Sequence, residues 1–260
     1  RFIAVRKSLS SSPVNTAVRS LDGISWTTLG LPVSGVWESI TTDSNSNVAL
    51  VSSSQDIIYS SNNGDTFSQT SVGTGQNFAL LQYGTDRLVA IESDDNGNGD
   101  VAYSDDNGAN WTVVSAALTP ELWNDITYGD GKFVIISAAG NQTAYSFDGI
   151  TWYESSITDL ETFDNINYAQ GVFISLGDTK IAKSQDGNLW KTINDDSSSY
   201  LLSESGNWVD TAYGEGNFVV IQGNNLWNRI FVGAAPFVRI KIDSSRVDNF
   251  QVYNPGSGFR

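Results

Sequence analysis

The chain has 260 residues and carries 29 acidic side chains against 14 basic ones, a net charge of −15. That field repels phosphate backbones and anionic lipid surfaces, so no nucleic-acid partner is expected. Cysteine and histidine are both absent, which removes disulfides, thiol nucleophiles, zinc knuckles and the imidazole base of triad mechanisms. No apolar run approaches the ~20 residues of a membrane-crossing helix, so no membrane insertion is expected. With no methionine, the chain reads as a processed product or a piece of something longer.

In chain order, the first element is a short apolar strand starting at Phe2. A box follows, Ser20-Leu21-Asp22-Gly23-Ile24-Ser25-Trp26, and it returns four times: Ser60 to Phe67, Ser104 to Trp111, Ser146 to Trp152 and Ser184 to Trp190. A period near forty residues with turn residues at fixed offsets marks a repeated supersecondary unit. Before each later box stands a second motif, clearest as Trp123-Asn124-Asp125-Ile126-Thr127-Tyr128-Gly129-Asp130-Gly131-Lys132-Phe133. Its relatives start at Trp37, Phe78, Phe163 and Trp208. Each reads as strand, tight turn, strand, with Asp130-Gly131 and Glu215-Gly216 supplying the positive φ of a two-residue hairpin.

One unit therefore holds four strands. The first is headed by Trp or Phe, the second is a fully apolar run such as Phe133 to Ile136, the third ends in Ser, and the fourth starts at the box Trp. In the box, Asp or Asn accepts backbone N–H bonds and Gly takes the left-handed conformation. The Trp returns to the sheet and is expected to be buried between units, so that Trp111→Ala or Trp152→Ala lowers the melting temperature sharply.

The boxes resemble the Asp-box, or BNR repeat, of sialidase-like propellers. Boxes two and three have the family length, with Asn62 and Phe67 as departures, while boxes one, four and five lack one residue between Asp and Gly. The shortened form is similar to repeats of bacterial and phage surface proteins. The resemblance implies an all-β fold, a β-propeller of four-stranded antiparallel blades, over residues 1–233. Second-strand motifs at Phe2, Val48, Leu88, Phe133, Phe173 and Phe218 give six blades, with five or seven as alternatives. No first-strand motif precedes Phe2, so the first blade needs a strand from elsewhere, either from the C-terminal region or from an N-terminal segment ahead of this sequence. Residues 234–260 leave the repeat and read as a strand and linker, in which Phe237 to Ile242 is a candidate to close the ring or lead to another module.

Candidate sites are few. Asp94, Asn96, Asn98 and Asp100, with Asp105 at the twelfth position, have the oxygen spacing of a calcium loop; a solvated turn is the plainer reading, and no other cofactor is expected. The resemblance to sialidases would call for an arginine triad, yet none of the arginines lies between residues 88 and 228, so no enzyme activity is expected. The tryptophans Trp37, Trp123, Trp208 and Trp227 are candidates for stacking on sugars, against a plainer reading of the first three as core. The resulting expectation is a non-catalytic structural and interaction module of a larger assembly, a phage virion component bound to other protein subunits. The alternative is a carbohydrate-binding or glycan-degrading propeller of a bacterial surface or secreted protein, with glycans as partners and an extracellular or cell-surface location.

Overall fold

The computed structural model describes residues 2–5, 13–53, 56–73, 77–138, 141–158, 162–177 and 181–193, and the strand backbone of 207–214, 217–223, 229–233 and 238–240. The described residues contain strands, turns and bends only, with no helix long and apolar enough to cross a membrane. The chain divides into two compact units, residues 1–134 with 145–154, and residues 135–144 with 155–260.

In the first unit, β1 (Phe2–Val5), β2 (Val14–Ser20) and β3 (Trp26–Gly35) form a three-stranded sheet in that order. Two four-stranded sheets follow. One holds β4 (Trp37–Thr42), β5 (Val48–Ser52), β6 (Asp56–Ser60) and β7 (Ser68–Ser71), in chain order. The next holds β8 (Phe78–Tyr83), β9 (Leu88–Glu92), β10 (Val101–Ser104) and β11 (Thr112–Val114). A further sheet is built from β12 (Trp123–Gly129), β13 (Lys132–Ser137), β14 (Gln142–Ser146) and β15 (Tyr153–Ser156).

The second unit adds two more. The first is β16 (Phe163–Ala169), β17 (Val172–Gly177), β18 (Ile181–Ser184) and β19 (Trp190–Ile193). The last is β20 (Asn207–Gly214), β21 (Asn217–Gly223), β22 (Arg229–Gly233) and β23 (Val238–Ile240). All six sheets are meanders of the kind found in propeller blades. The strand read at Phe237 to Ile242 forms as β23 and pairs with β22, Ile230 opposite Ile240. It gives the last sheet four strands, whereas the first has three among the described residues.

The hairpins obey their turn chemistry. Asp130 and Gly131 both have positive φ, at 50° and 72°, and Gln170 and Gly171 repeat the pair at 54° and 77°. Glu215-Gly216 lies outside the described residues. Each such hairpin sets a tyrosine against the phenylalanine that opens the next strand, with Tyr128–Phe133 and Tyr168–Phe173 ring centroids 4.7 Å apart.

The aromatic that heads each first strand is core. Trp37, Phe78, Trp123 and Phe163 are all buried, so the sugar-stacking candidates Trp37 and Trp123 are unavailable to ligand. Nothing is described of the Trp208 side chain, and Trp227 lies outside the described residues. A bulge follows the head aromatic at Trp37/Ser39, Phe78/Leu80, Phe163/Asn165 and Trp208/Asp210. It breaks the two-residue alternation, which is how Phe163 and Ile166, three apart, are both buried. Neighbouring sheets of the first unit are also stitched by side chains, since the amides of Leu81 and Tyr83 donate to Ser39 Oγ and Thr41 Oγ1.

Candidate functional site

The repeated corner is the best-defined polar construction in the chain. In the box at Ser146, the Ser146 hydroxyl donates to Asp148 Oδ1 at 3.0 Å while accepting the Gly149 amide at 2.8 Å. Asp148 Oδ1 then takes the amides of Ile150 and Thr151 at 2.8 and 2.7 Å. Boxes one and five repeat these contacts through Ser20 with Asp22 and Ser184 with Asp186. In the longer boxes the extra residue sits in left-handed conformation ahead of glycine, Asn63 at φ 64° and Asn107 at φ 62°. Asn62 and Asp106 then accept an amide four residues on, from Thr66 and Asn110. Asn serves as well as Asp in box two because the work needs only a carbonyl-type oxygen.

The box tryptophans differ from the expectation of burial between sheets. Trp26 is exposed, Trp111 and Trp152 are half-buried, and only Trp190 is buried. Trp26, Trp111 and Trp190 donate their indole N–H to the carbonyl of the box glycine three residues back. The ring thus closes its own turn, and Trp111 also packs on the core beneath it. Trp152 lies beside Phe133 instead, with centroids 6.4 Å apart.

These contacts hold the box carboxylates charged. The amides of Ser25 and Ile24 and the Ser20 hydroxyl lower the pKa of Asp22 to about 2. The Asn110 side chain and amide lower that of Asp106. At Asp148 desolvation opposes the charge, but the Thr151 and Ile150 amides and the Ser146 hydroxyl outweigh it. Groups depressed in the folded state stabilise it above their unfolded pKa and lose that contribution as pH falls through the folded one. The melting temperature is therefore expected to be level above about pH 4 and to fall as pH drops toward about 2. A thermal-melt series across pH 2–7 checks this, and a melting temperature that rises on acidification contradicts it.

The calcium candidates are dispersed around other partners. Glu92, a buried residue missed in the sequence, sits at the centre of the loop, where its Oε2 accepts the amides of Asn98 and Asp100, both at 2.9 Å. Asp94 accepts the Asn96 amide, whose side chain turns to Asp95. Asp100 is buried and accepts the Ala116 amide at 3.0 Å. Asp105, beyond β10, pairs with Arg87 at 2.7 Å. The loop thus aims amide donors at carboxylates, and among the described residues no group of three or more Asp, Glu, His or Cys is placed to hold an ion.

Two exposed features remain. A hollow of about 320 Å³ at the first box is lined by Arg19, Ser20, Leu21, Asp22, Ser25 and Thr27. Its polar groups are engaged, since Arg19 is paired with Asp65 and Asp22 with the box amides. The fourth box instead carries an aromatic cluster. Tyr145 on β14 stacks on Tyr153 of β15, centroids 5.3 Å apart at 26°, and meets Phe147 edge-on at 5.8 Å. Beneath them the buried Lys132, paired with Asp130 at 3.5 Å, sets its Nζ 5.4 Å from the Phe147 ring centroid. Phe147 is 61% exposed and Tyr153 49%, so these rings spend their apolar surface on solvent. The signal was present in the repeat. Where Phe147 and Tyr153 stand, box five has Gln185 and Lys191, box three Asp105 and Thr112, and box two Ser61 and Ser68.

No protein-family model matches the sequence, and no characterised protein matches it by sequence. Solved structures do match. YCF48 bound to a D1 peptide is similar with a TM-score of 0.64 at 16% identity, over 86% of this chain and 73% of that one. YCF48 from Cyanidioschyzon merolae gives 0.60 at 10% identity, over 88% and 82%. A catalytically inactive histidine-to-alanine variant of virginiamycin B lyase from Staphylococcus aureus, with quinupristin, gives 0.65 at 14% identity, over 80% and 70%. At such identities the likeness establishes the class of fold, an all-β chain of propeller-type sheets. It also overturns the expectation of a phage virion component and of a virion location. Structures that share this architecture include YCF48 and virginiamycin B lyase, neither of them a virion component, and the box that suggested a virion is a self-contained turn suited to any propeller corner.

Proposed function

We propose that the chain is a non-catalytic, carbohydrate-binding propeller module working at a cell surface or outside the cell. The observation that carries this reading is the Tyr145–Tyr153 stack with Phe147 edge-on beside it. Exposed aromatic faces take the C–H faces of sugar rings, and tyrosine hydroxyls supply hydrogen bonds to their edges. The proposed ring has six blades, and its corners are Asp-boxes; the shared Ser–Asp hydrogen bonding supports that kinship. An absence of catalysis is supported by the histidine-free chain, because the similar lyase was made inactive by replacing a histidine.

The test is a glycan array probed with the labelled protein, followed by titration of the best ligand against Tyr153→Ala. Binding should fall by about tenfold or more, while surface truncation leaves stability within about 0.5 kcal/mol. An array with no retained glycan sinks the reading. The module is proposed to need no resident metal, so millimolar calcium should leave the melting curve in place; a rise saturating with calcium would restore Asp94, Asn96, Asn98, Asp100 and Asp105 as ligands.

A protein partner is a second reading, favoured by the peptide in the YCF48 structure.

A further inference from the structure

The loop joining β9 to β10 carries chemistry that neither binding reading uses. Four asparagines in the chain stand directly before a glycine: Asn63, Asn96, Asn98 and Asn107. Such a pair can react with itself. The glycine amide nitrogen, with no neighbouring Cβ to crowd its approach, attacks the carbonyl carbon of the asparagine side chain. The structure treats the four pairs differently.

Two pairs are built into boxes. Asn63 and Asn107 are left-handed, and the buried amides that follow, of Gly64 and Gly108, donate to Ser60 Oγ at 3.0 Å and Ser104 Oγ at 2.8 Å. Neither nitrogen can attack until its corner opens. The other two pairs lie in the loop. Asn96 is exposed, but its side chain donates to Asp95 and the Gly97 amide donates to the Asp94 carbonyl at 3.1 Å. Asn98 is exposed as well, and among the described residues neither its carboxamide nor the Gly99 amide has a hydrogen-bond partner. The groups around them are engaged: the amides of Asn98 and Asp100 share Glu92 Oε2, and the Gly99 carbonyl accepts the Leu118 amide. The nucleophile is thus the donor left over in this stretch, and it faces no bond that must first be broken.

We propose that Asn98 is a site of self-modification, which deamidates spontaneously to aspartate and isoaspartate while the box asparagines are preserved. The Gly99 nitrogen gives its proton to solvent base and bonds to Asn98 Cγ. The Cγ–Nδ2 bond breaks and ammonia leaves, closing a succinimide ring. One water then adds to either ring carbonyl. Breaking the new Cγ–N bond restores the main chain with aspartate; breaking the original peptide bond routes the chain through Cβ and Cγ as isoaspartate. One water enters and one ammonia leaves, with no change of oxidation state.

Both products bear on Glu92. Each adds a carboxylate to a loop that already holds Asp94, Asp95 and Asp100 beside that buried side chain, and the like charges repel. Isoaspartate also inserts a carbon between the two amides that share Glu92 Oε2. One of those bonds is then lost, which leaves a buried carboxylate short of a donor.

The test is to age the folded chain at mildly alkaline pH and follow each Asn-Gly pair by peptide mass spectrometry, with a urea-unfolded sample aged alongside. In urea all four pairs should convert at comparable rates. In the folded chain Asn98 should convert roughly tenfold or more faster than Asn63 and Asn107, whose corners must open first. Isoaspartate should be found at position 98. The melting temperature should fall as the converted fraction grows. It should hold in aged Asn98→Gln, whose longer side chain would have to close a larger ring. An Asn98 that stays intact in the folded chain while converting in urea overturns the proposal, as does conversion at Asn98 no faster than at the box asparagines.

Discussion

Trp37→Ala should be among the most damaging substitutions in the chain, costing about 3–5 kcal/mol. The ring is 1% exposed and sits in the core formed with Ala17, Leu31, Val48, Leu50 and Ile58. Its indole nitrogen donates to the Val14 carbonyl at 2.9 Å, tying the first sheet to the second. Truncation leaves a cavity and strips a partner from that carbonyl, two losses that add. For a chain of this size the melting temperature should drop by roughly 6–20 °C. A shift of less than about 2 °C would mean that the ring is not wedged where these contacts place it.

Gly99→Ala is the second. Gly99 adopts φ +70°, and a Cβ there would stand 1.8 Å from the Leu118 carbonyl oxygen, a backbone atom with no rotamer to escape through. Left-handed strain alone costs an alanine about 1–2 kcal/mol, and displacing the Leu118 backbone adds to it, for about 2–4 kcal/mol in all. The Leu118 amide also donates to the Gly99 carbonyl, so the shift breaks a bond that pins the two segments. Gly131→Ala is the control: its φ of +72° is similar, but nothing lies within 4 Å of the added carbon. Urea midpoints should rank the variants Gly99→Ala below Gly131→Ala below the parent, and equal midpoints for the two variants would discount the clash.

The parts of the fold that were legible in the sequence are those fixed by local chemistry. Asp130-Gly131 announces a hairpin because few other pairs tolerate two positive φ angles. The box announces a corner because Ser, Asp and Gly must stand at fixed offsets to bond one another. The missing first strand could be counted from Phe2 onward for the same reason. Contacts made across the sheets were not legible. Glu92 looks like an ordinary strand-end carboxylate until Asn98 and Asp100 are folded back on it. Val238–Ile240 alternates like any strand, and only pairing with Arg229–Gly233 assigns it to the last sheet. The box tryptophan was read by its size, which suggests burial, whereas its nitrogen finds a carbonyl three residues away. The Tyr145, Phe147 and Tyr153 cluster was visible as an exception to the repeat, but separation along the chain hid that β14 and β15 bring its rings together.

The box corner has a consequence for how the chain acquires its structure. Its hydrogen bonds span two to four residues, and in every sheet each strand pairs with its predecessor. Such short-range contacts close small loops and lose little chain entropy before they are rewarded, so they form early. Each meander can therefore be assembled as it leaves the ribosome, without waiting for residues not yet synthesised. Among the described residues this holds for all six sheets, so none of them needs a strand from a distant part of the chain to form the pairs it shows.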